Sequence, residues 1–368
     1  MLLQSTQSDA QHISPAMDLT SPIQQKDSNS ISFSYNNLFY FRDYEYFNPI
    51  QEGYTLFGTW HYPRFALQPN KWLRFEAGAL LQKEFGAKKL DKVLPVFSMQ
   101  FRHKNLRFLF GALEGNQAHR LPEPIMNYDM IIERPIEEGF QVKYNTDKLK
   151  ADLWLDWELR QKKTADYPEE LTGGVSVSYL ISKPSKPLHV SIPLQLITPH
   201  KGGQLDTNHS AVYTVINTSA GLVSEWDNPN HSEWTKKVRV GLHFLGYNLS
   251  QKKHIYPFNK GNGFLSNLYI HTKWNFSFLA SYWKGNQFIA PKGAPIYQSI
   301  SYAGNSSYTE PKRELLFLNL IFEKEILKGL FTDMRYSPYL DLHNKLFEHS
   351  FLIYFSYRKK IFLGKIRK

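Results

Sequence analysis

The sequence predicts an all-β protein, a transmembrane antiparallel β-barrel of about 16 strands (about 14 to 18) with long loops on one side and short turns on the other. Three observations predict this fold. Apolar and polar residues alternate along most of the chain, and aromatic residues gather where the alternating segments end. Several segments also reach the roughly 9–11 residues with which a tilted strand crosses a bilayer.

Composition excludes several other classes of protein. The chain has 368 residues, of which 42% are hydrophobic and 21% charged, and this balance excludes wholesale disorder. No apolar run approaches the roughly 18 residues of a membrane-spanning helix. The chain has no cysteine, which excludes disulfides, thiolate metal sites and a cysteine nucleophile.

Each strand is predicted by writing its segment as two faces. Between residues 72 and 85 the odd positions are mostly apolar, whereas the even positions include Arg74 and Glu76. A strand places such charges on one side, whereas a helix would scatter them. The same alternation marks 150–160, 237–244, 350–357, 31–41, 54–66, 93–102, 106–113, 139–145, 172–182, 188–198, 209–226, 264–284, 314–324 and 330–337. The segment 264–284 is long enough to be a hairpin that turns near Asn275.

The connections have two lengths. Short, turn-competent ones lie at 68–71, 102–105 and 145–148, and long ones at 114–138, 161–171, 250–263 and 285–313. Short turns on one side and long loops on the other are typical of outer-membrane barrels. We therefore expect 114–138 and 285–313 on the same side of the membrane, the outside.

Residues 31 to 357 resemble a bacterial outer-membrane β-barrel of the porin type. The resemblance rests on the alternation, the two loop lengths and the aromatic bands, and on no diagnostic motif. It implies a location in the bacterial outer membrane, contact with outer-membrane lipid, and a loop 114–138 that folds inward and narrows the pore. A soluble β-sandwich with one wet face would show a similar alternation and is the alternative.

Three segments follow from this prediction. Residues 1–29 are rich in Ser, Gln and Asp and are expected to be a disordered N-terminal arm or the remnant of a clipped signal peptide. Residues 30–357 form the barrel. Porin-type barrels commonly finish on an aromatic residue, but this chain continues as a basic C-terminal extension, 358–368, which either prolongs the last strand or is a free tail.

Charge on the polar faces predicts the character of the lumen, the interior of the barrel. The formal net charge is +11. The predicted lumen-lining basic residues are Arg74, Lys237, Arg239, Lys273 and Arg335, and the acidic ones are Glu76, Asp152, Asp156 and Glu158. Because the two signs nearly balance, we expect a weak preference for anions. An ordinary solvated surface with a basic bias is the alternative.

The loop 114–138 holds the richest polar cluster. Its candidate residues for a constriction or a binding site are Glu114, His119, Arg120, Glu123 and Asp129. Carboxylates and a histidine suit a divalent metal or a sugar, and hard oxygen ligands favour calcium, although the sequence leaves the metal unknown. A solvated, proline-stiffened loop is the alternative. Asp156 and Glu158, beside Trp154, suit either glycoside cleavage or a wet lumen wall.

Three functions remain open. The first is a passive channel, or one weakly selective for anionic or carbohydrate solutes. The second is a non-transporting barrel subunit of an outer-membrane assembly or secretion complex, which would have other envelope proteins as partners. The third is a barrel-borne hydrolase acting on glycan or lipid. The sequence has no His-Glu-x-x-His, P-loop, Gly-x-Ser-x-Gly or dinucleotide motif, which favours the non-enzymatic functions. We expect no catalytic residue, no cofactor and, because the basic residues are dispersed, no nucleic acid.

Overall fold

A computed structural model describes residues 17, 19–162, 167–203, 212–230, 233–251, 255–304 and 307–366. Sixteen antiparallel strands close into a barrel in which each strand pairs with its neighbours in sequence and the last pairs with the first. The strands are β1 Ser30–Glu45, β2 Thr55–Gln68, β3 Leu73–Glu84, β4 Lys92–His103, β5 Leu106–Ala112, β6 Glu138–Asn145, β7 Leu149–Leu159, β8 Glu170–Leu180, β9 Leu188–Lys201, β10 Tyr213–Asp227, β11 Thr235–Gln251, β12 Lys260–Thr272, β13 Phe276–Asn286, β14 Lys312–Leu327, β15 Leu330–Asp341 and β16 Leu346–Lys365. The predicted fold class is confirmed. Within the described ranges, no helix is long and apolar enough to cross a membrane.

The alternation of the sequence becomes the two faces of the wall. On β3, Arg74 and Glu76 are buried in the lumen, whereas the intervening Phe75 is only partly buried. On β11, Arg239 is buried and Leu242 is exposed on the outer surface. On these strands the charged side chains face the lumen and apolar ones face outward, as a barrel in a membrane requires.

The hairpin expected near Asn275 is present. β12 ends at Thr272 and β13 begins at Phe276, so residues 273–275 form a tight turn. Asn275 has φ 65°, a left-handed conformation that asparagine tolerates better than most residues.

The barrel has two different ends. We call the end where β1 begins and β16 finishes the terminal end, and the opposite end the loop end. Connections at the terminal end are 2 to 7 residues long. The loop end carries the two longest connections, 113–137 and 287–311, which are separated by eight strands and so lie at the same end. The expected loops 161–171 and 250–263 lie partly outside the described residues.

Both long loops fold into the lumen instead of standing in solvent. Ile125 of the first and Phe288 of the second are fully buried in one apolar cluster with strand residues. The loops also contact each other, because Ala294 N donates to Glu123 O at 3.0 Å and Asn127 N donates to Lys292 O at 2.6 Å. The lumen is therefore filled from the loop end.

Both chain termini contact the barrel. β16 continues without a break through residues 358–365, which were assigned to the C-terminal extension, and pairs there with β1. Residue 17 and residues 19–29 are the described part of the predicted arm, and they contact the inner face of the barrel. Ser21 Oγ donates to Glu76 at 2.8 Å, and Gln100 Nε2 donates to Ser21 O at 3.1 Å.

Candidate functional site

The five candidate residues of the first long loop do not form one site. Glu114 and His119 belong to one buried cluster near β7, whereas Glu123 and Asp129 lie against the opposite wall and the second loop. Arg120 takes part through its backbone, with φ 59° and a carbonyl that accepts a hydrogen bond from Gln195 at 2.6 Å. Nothing in this arrangement gathers the oxygen ligands that calcium would need.

His119 lies between two carboxylates and is fully buried. Its Nε2 is 2.9 Å from Glu137 and its Nδ1 is 3.0 Å from Asp152. Burial alone lowers the pKa of His119, but the two carboxylates outweigh it and raise the pKa to about 9. At neutral pH the ring is therefore an imidazolium that donates from both nitrogens and holds the loop to the wall. An imidazolium has no free lone pair and so cannot act as a general base.

Glu114 extends the same network. Lys143 contacts Glu114 at 2.6 Å and Asp152 at 3.6 Å, and Arg107 contacts Glu114 at 2.6 Å. Burial alone would raise the pKa of Glu114, but the two cations lower it, so the carboxylate stays charged. The His119 cluster, which we define as His119, Glu114, Glu137, Lys143 and Asp152, is thus a closed set of ion pairs.

Glu123 and Asp129 bind tyrosines. Tyr297, from the second long loop, donates to Glu123 at 3.0 Å. Tyr44 donates to Asp129, and Arg42 Nε is 3.5 Å from the same carboxylate. These contacts join the first loop to the second and to β1.

The paired carboxylates of β7 bind cations from both loops. Arg134, from the first loop, forms an ion pair with Asp156. Lys292, from the second loop, contacts Glu158 at 2.5 Å. Because each carboxylate is bound by a cation from one of the loops, the pair anchors both loops to the wall.

The predicted basic residues are mostly neutralised by neighbouring acids. Arg74 Nη2 is 2.5 Å from Glu76, and Arg335 Nη2 is 2.8 Å from Asp333. Lys237 Nζ is 2.8 Å from Glu225, and Arg239 Nη1 is 3.7 Å from it. Lys273 was expected in the lumen, and the structure corrects this: it is exposed in the turn between β12 and β13, with its ammonium 5.3 Å from the Trp274 ring.

The cavities that remain differ strongly in size and position. The lumen holds one of about 90 Å³ beside Arg42, Asp129 and Arg335. A larger cleft of about 660 Å³ opens at the loop end, and Asp43–Asn48, Pro49, Glu52–Thr55 and Ala303 line it. We call this the rim cleft. It is outside the packed lumen and open to solvent and to the outer surface.

The rim cleft contains a hydroxyl–carboxylate dyad that the sequence analysis missed. Asp43, near the end of β1, is the register partner of Thr55, the first residue of β2. Thr55 Oγ1 donates to Asp43 Oδ1 at 2.5 Å. Both side chains are on the outward face of the barrel, and Thr55 is exposed. A threonine and an aspartate 12 positions apart carry no recognisable sequence signal, because the hairpin alone brings them together.

A second polar group on the outer face lies farther down the same hairpin. Tyr35 Oη is 2.6 Å from His61 Nδ1, and Asn37 Nδ2 is 3.2 Å from the same atom and 3.1 Å from Thr59 Oγ1. These residues are at mid-height on β1 and β2, between lipid-facing phenylalanines. They hydrogen-bond one another and the backbone carbonyls of Leu38 and Trp60, which lowers the cost of polar groups that face lipid.

A family model described as "Lipid A 3'-O-deacylase-type" matches residues 23–366. None of the curated proteins matches the chain significantly. Among solved structures, the outer membrane protein OprD from Pseudomonas aeruginosa is similar, with 9% identity, a TM-score of 0.52, and 95% of this chain and 97% of that chain covered. The trimer form of OmpT from Vibrio cholerae has 9% identity and a TM-score of 0.52, with 90% and 100% covered.

At such low identity these likenesses show the fold alone. OccK5 from Pseudomonas aeruginosa gives the same result, with 11% identity, a TM-score of 0.50, and 91% and 99% covered. The resemblance to porin-type barrels and the location in the bacterial outer membrane are both confirmed.

Proposed function

We propose a function that starts from the family: this chain belongs to the lipid A 3'-O-deacylase-type family. The chain hydrolyses an ester-linked acyl chain of a lipid A-type glycolipid at its rim cleft. The observation that carries the proposal is the Thr55–Asp43 dyad, an exposed hydroxyl hydrogen-bonded at 2.5 Å to a carboxylate inside the rim cleft. Of the three functions open at the sequence level, this is the barrel-borne hydrolase.

The position of the dyad suits a membrane lipid. Asp43 and Thr55 are on the outward face, where β1 ends and β2 begins. At that height they meet a membrane lipid at the boundary between the acyl chains and the head group of the lipid. Ester bonds of a glycolipid lie at that boundary. The cleft also offers Phe47, which is 84% exposed, as an apolar surface for an acyl chain or a sugar face.

The dyad can carry out ester cleavage in two steps. Thr55 Oγ1 attacks the ester carbonyl carbon while Asp43 takes its proton, and the bond from that carbon to the sugar oxygen breaks as the sugar oxygen receives the proton. Water then attacks the acyl-threonine, giving its proton through Asp43 to the departing Thr55 oxygen. The products are a free fatty acid and a sugar hydroxyl, and the dyad is restored.

The packed lumen supports a site on the outside. Its charged residues are bound to one another, and the cavity beside Arg42 and Arg335 is about 90 Å³, too small for a glycolipid. The imidazolium of His119 cannot accept a proton at neutral pH. A lipid that diffuses in the outer leaflet reaches the rim cleft without entering the barrel.

The test uses the purified full chain in bilayers that contain lipid A. Mass spectrometry should show loss of one ester-linked acyl chain with the wild type, and a rate about 100-fold or more lower for Thr55→Ala and Asp43→Asn. Thr55→Ser keeps the hydroxyl and should retain most of the activity. Thr198→Ala, a half-buried outward position near the loop end of β9, is the matched control. The proposal fails if the wild type releases no acyl chain, or if both dyad variants match it.

A channel is the second candidate, and one observation favours it. The interior cavity is lined by residues of both inward loops and of the wall, so displacement of the loops would open a passage there. Planar-bilayer recording tests this function independently of the deacylase assay. Sustained conductance of the wild type would support it, and a silent wild type would leave the hydrolase as the function.

A further inference from the structure

We propose that His189, Glu225 and Asp227 bind a divalent transition-metal ion, with Zn²⁺ the ion that fits their donor set, inside the lumen at the terminal end. The three residues come from the start of β9 and the finish of β10. One ligand atom from each lies within 4.8 Å of the other two. The site is at the opposite end of the barrel from the rim cleft and is independent of the proposed deacylase activity.

The orientation of His189 is that of a metal ligand. Its Nε2 is 3.3 Å from the carbonyl oxygen of Pro184, to which it donates, so in the neutral ring Nδ1 carries the lone pair. Metal-binding histidines are commonly held in this way, with the second nitrogen donating to a backbone carbonyl. Nδ1 points to Asp227 Oδ2 at 3.8 Å.

Two buried ligand atoms point into the site without hydrogen bonds. His189 and Glu225 are 6% and 1% exposed, and no described group hydrogen-bonds His189 Nδ1 or Glu225 Oε2. A buried polar atom without a partner costs free energy, and a metal ion would satisfy both atoms together. Arg239 Nη1 is 3.7 Å from Glu225 Oε2.

The distances between the ligand atoms are close to those of a tetrahedral zinc site. Ligands about 2.0–2.2 Å from a tetrahedral zinc ion are about 3.4 Å apart. His189 Nδ1 and Asp227 Oδ2, at 3.8 Å, are close to that separation, and the Asp227 side chain, 38% exposed, can rotate. One histidine and two carboxylates leave a fourth position for water.

Lys237 is the internal competitor for the metal. Its ammonium is 2.8 Å from Glu225 and 3.3 Å from Asp227, on the carboxylate oxygens other than those that would bind the ion. Its side chain is 29% exposed, so it can swing towards water when a divalent cation enters. Removal of Lys237 should therefore strengthen metal binding, an effect that a purely structural ion-pair cluster would not show.

The test is calorimetric titration of the untagged, folded, metal-free chain with Zn²⁺. We expect one ion per chain, at least a roughly 10-fold weaker affinity for His189→Ala and Asp227→Asn, and a roughly 10-fold tighter one for Lys237→Met. His103→Ala, an exposed histidine at the same end, should bind like the wild type. Asp227→Asn changes a partly exposed side chain and keeps the test valid if His189→Ala does not fold.

Two results would overturn the proposal. One is a wild type that binds no more Zn²⁺ than His189→Ala and Asp227→Asn. The other is a wild type whose zinc binding is lost in His103→Ala, which would place the ion elsewhere. Binding of Mn²⁺ or Ni²⁺ with the same response to the four variants would keep the site and change only the preferred metal.

Discussion

The imidazole of His119 stacks on the indole of Trp154, with ring centroids 3.7 Å apart and the planes at 12°. On its far side the indole lies against Gly174 of the next strand, where a Cβ atom would be 2.1 Å from a ring carbon. The inward loop is thus held by a stack of the His119 ring, the Trp154 indole and the backbone of Gly174. The ion pairs of His119 and the packing of Trp154 therefore hold the loop at the same point of the wall.

The charge of His119 makes this attachment depend on pH. The folded-state pKa, about 9, is above the ordinary value of 6.5, so the stabilisation is complete below pH 6.5 and is lost as the pH rises through 9. We expect the loop 113–137 to become more accessible to protease over that interval. His119→Gln should remove the pH dependence within it. Equal pH dependence in the two proteins would show that another group titrates.

The close packing of the Trp154 indole against Gly174 predicts how one added methyl group changes the stability of the protein. Gly174→Ala should lower the free energy of unfolding by about 1–3 kcal/mol, because the indole must move off its rotamer. Urea titration followed by tryptophan fluorescence measures this. Gly364→Ala, where nothing lies within 4 Å of the added carbon, is the control and should be neutral. Equal stability of the two variants would contradict the packing described here.

The anchors on β7 predict how the lumen opens. Arg134 and Lys292 tie the two long loops to Asp156 and Glu158, so Arg134→Gln with Lys292→Gln should release both loops. We expect planar-bilayer openings to be at least about 10-fold more frequent than in the wild type. Lys273→Gln, in an exposed turn, should not change the recording. A double variant as silent as the wild type would mean that apolar packing alone holds the loops.

The orientation in the membrane can be tested with single cysteines, since the parent chain has none. By the rule that long loops face outward, Phe47→Cys at the loop end should react with an impermeant thiol reagent on intact cells, and Lys273→Cys at the terminal end should not. Both should react after the cells are broken. The reverse labelling would place the loop end, and the rim cleft with it, in the periplasm.

The barrel was predictable because its determinants are local. Alternation fixes which residues share a face, and the turn at Asn275 follows from one long segment. Lys273 was misplaced because the alternation was continued one residue too far, into that turn. The loop residues Glu114, His119 and Asp129 were rightly seen as polar, but their partners come from other strands and loops, and no spacing along the chain predicts such pairs.

The candidate sites were harder to predict for the same reason. Asp43 and Thr55 belong to different strands, and only the register of the hairpin makes them neighbours. His189 is separated from Glu225 and Asp227 by more than a strand. Because hydroxyls and carboxylates are common on any polar face, their chemistry becomes visible only when the distances are known.

The pairing of β1 with β16 determines when the barrel can close during folding. Ser30 pairs with Lys365 and Glu45 with His349, so the first strand to be synthesised must wait for the last. Every shorter piece of the chain has two open sheet edges, and open edges invite pairing with other chains. Such distant contacts also slow folding. The barrel can therefore close only after β16 has been synthesised, and until then its open edges can pair with other chains.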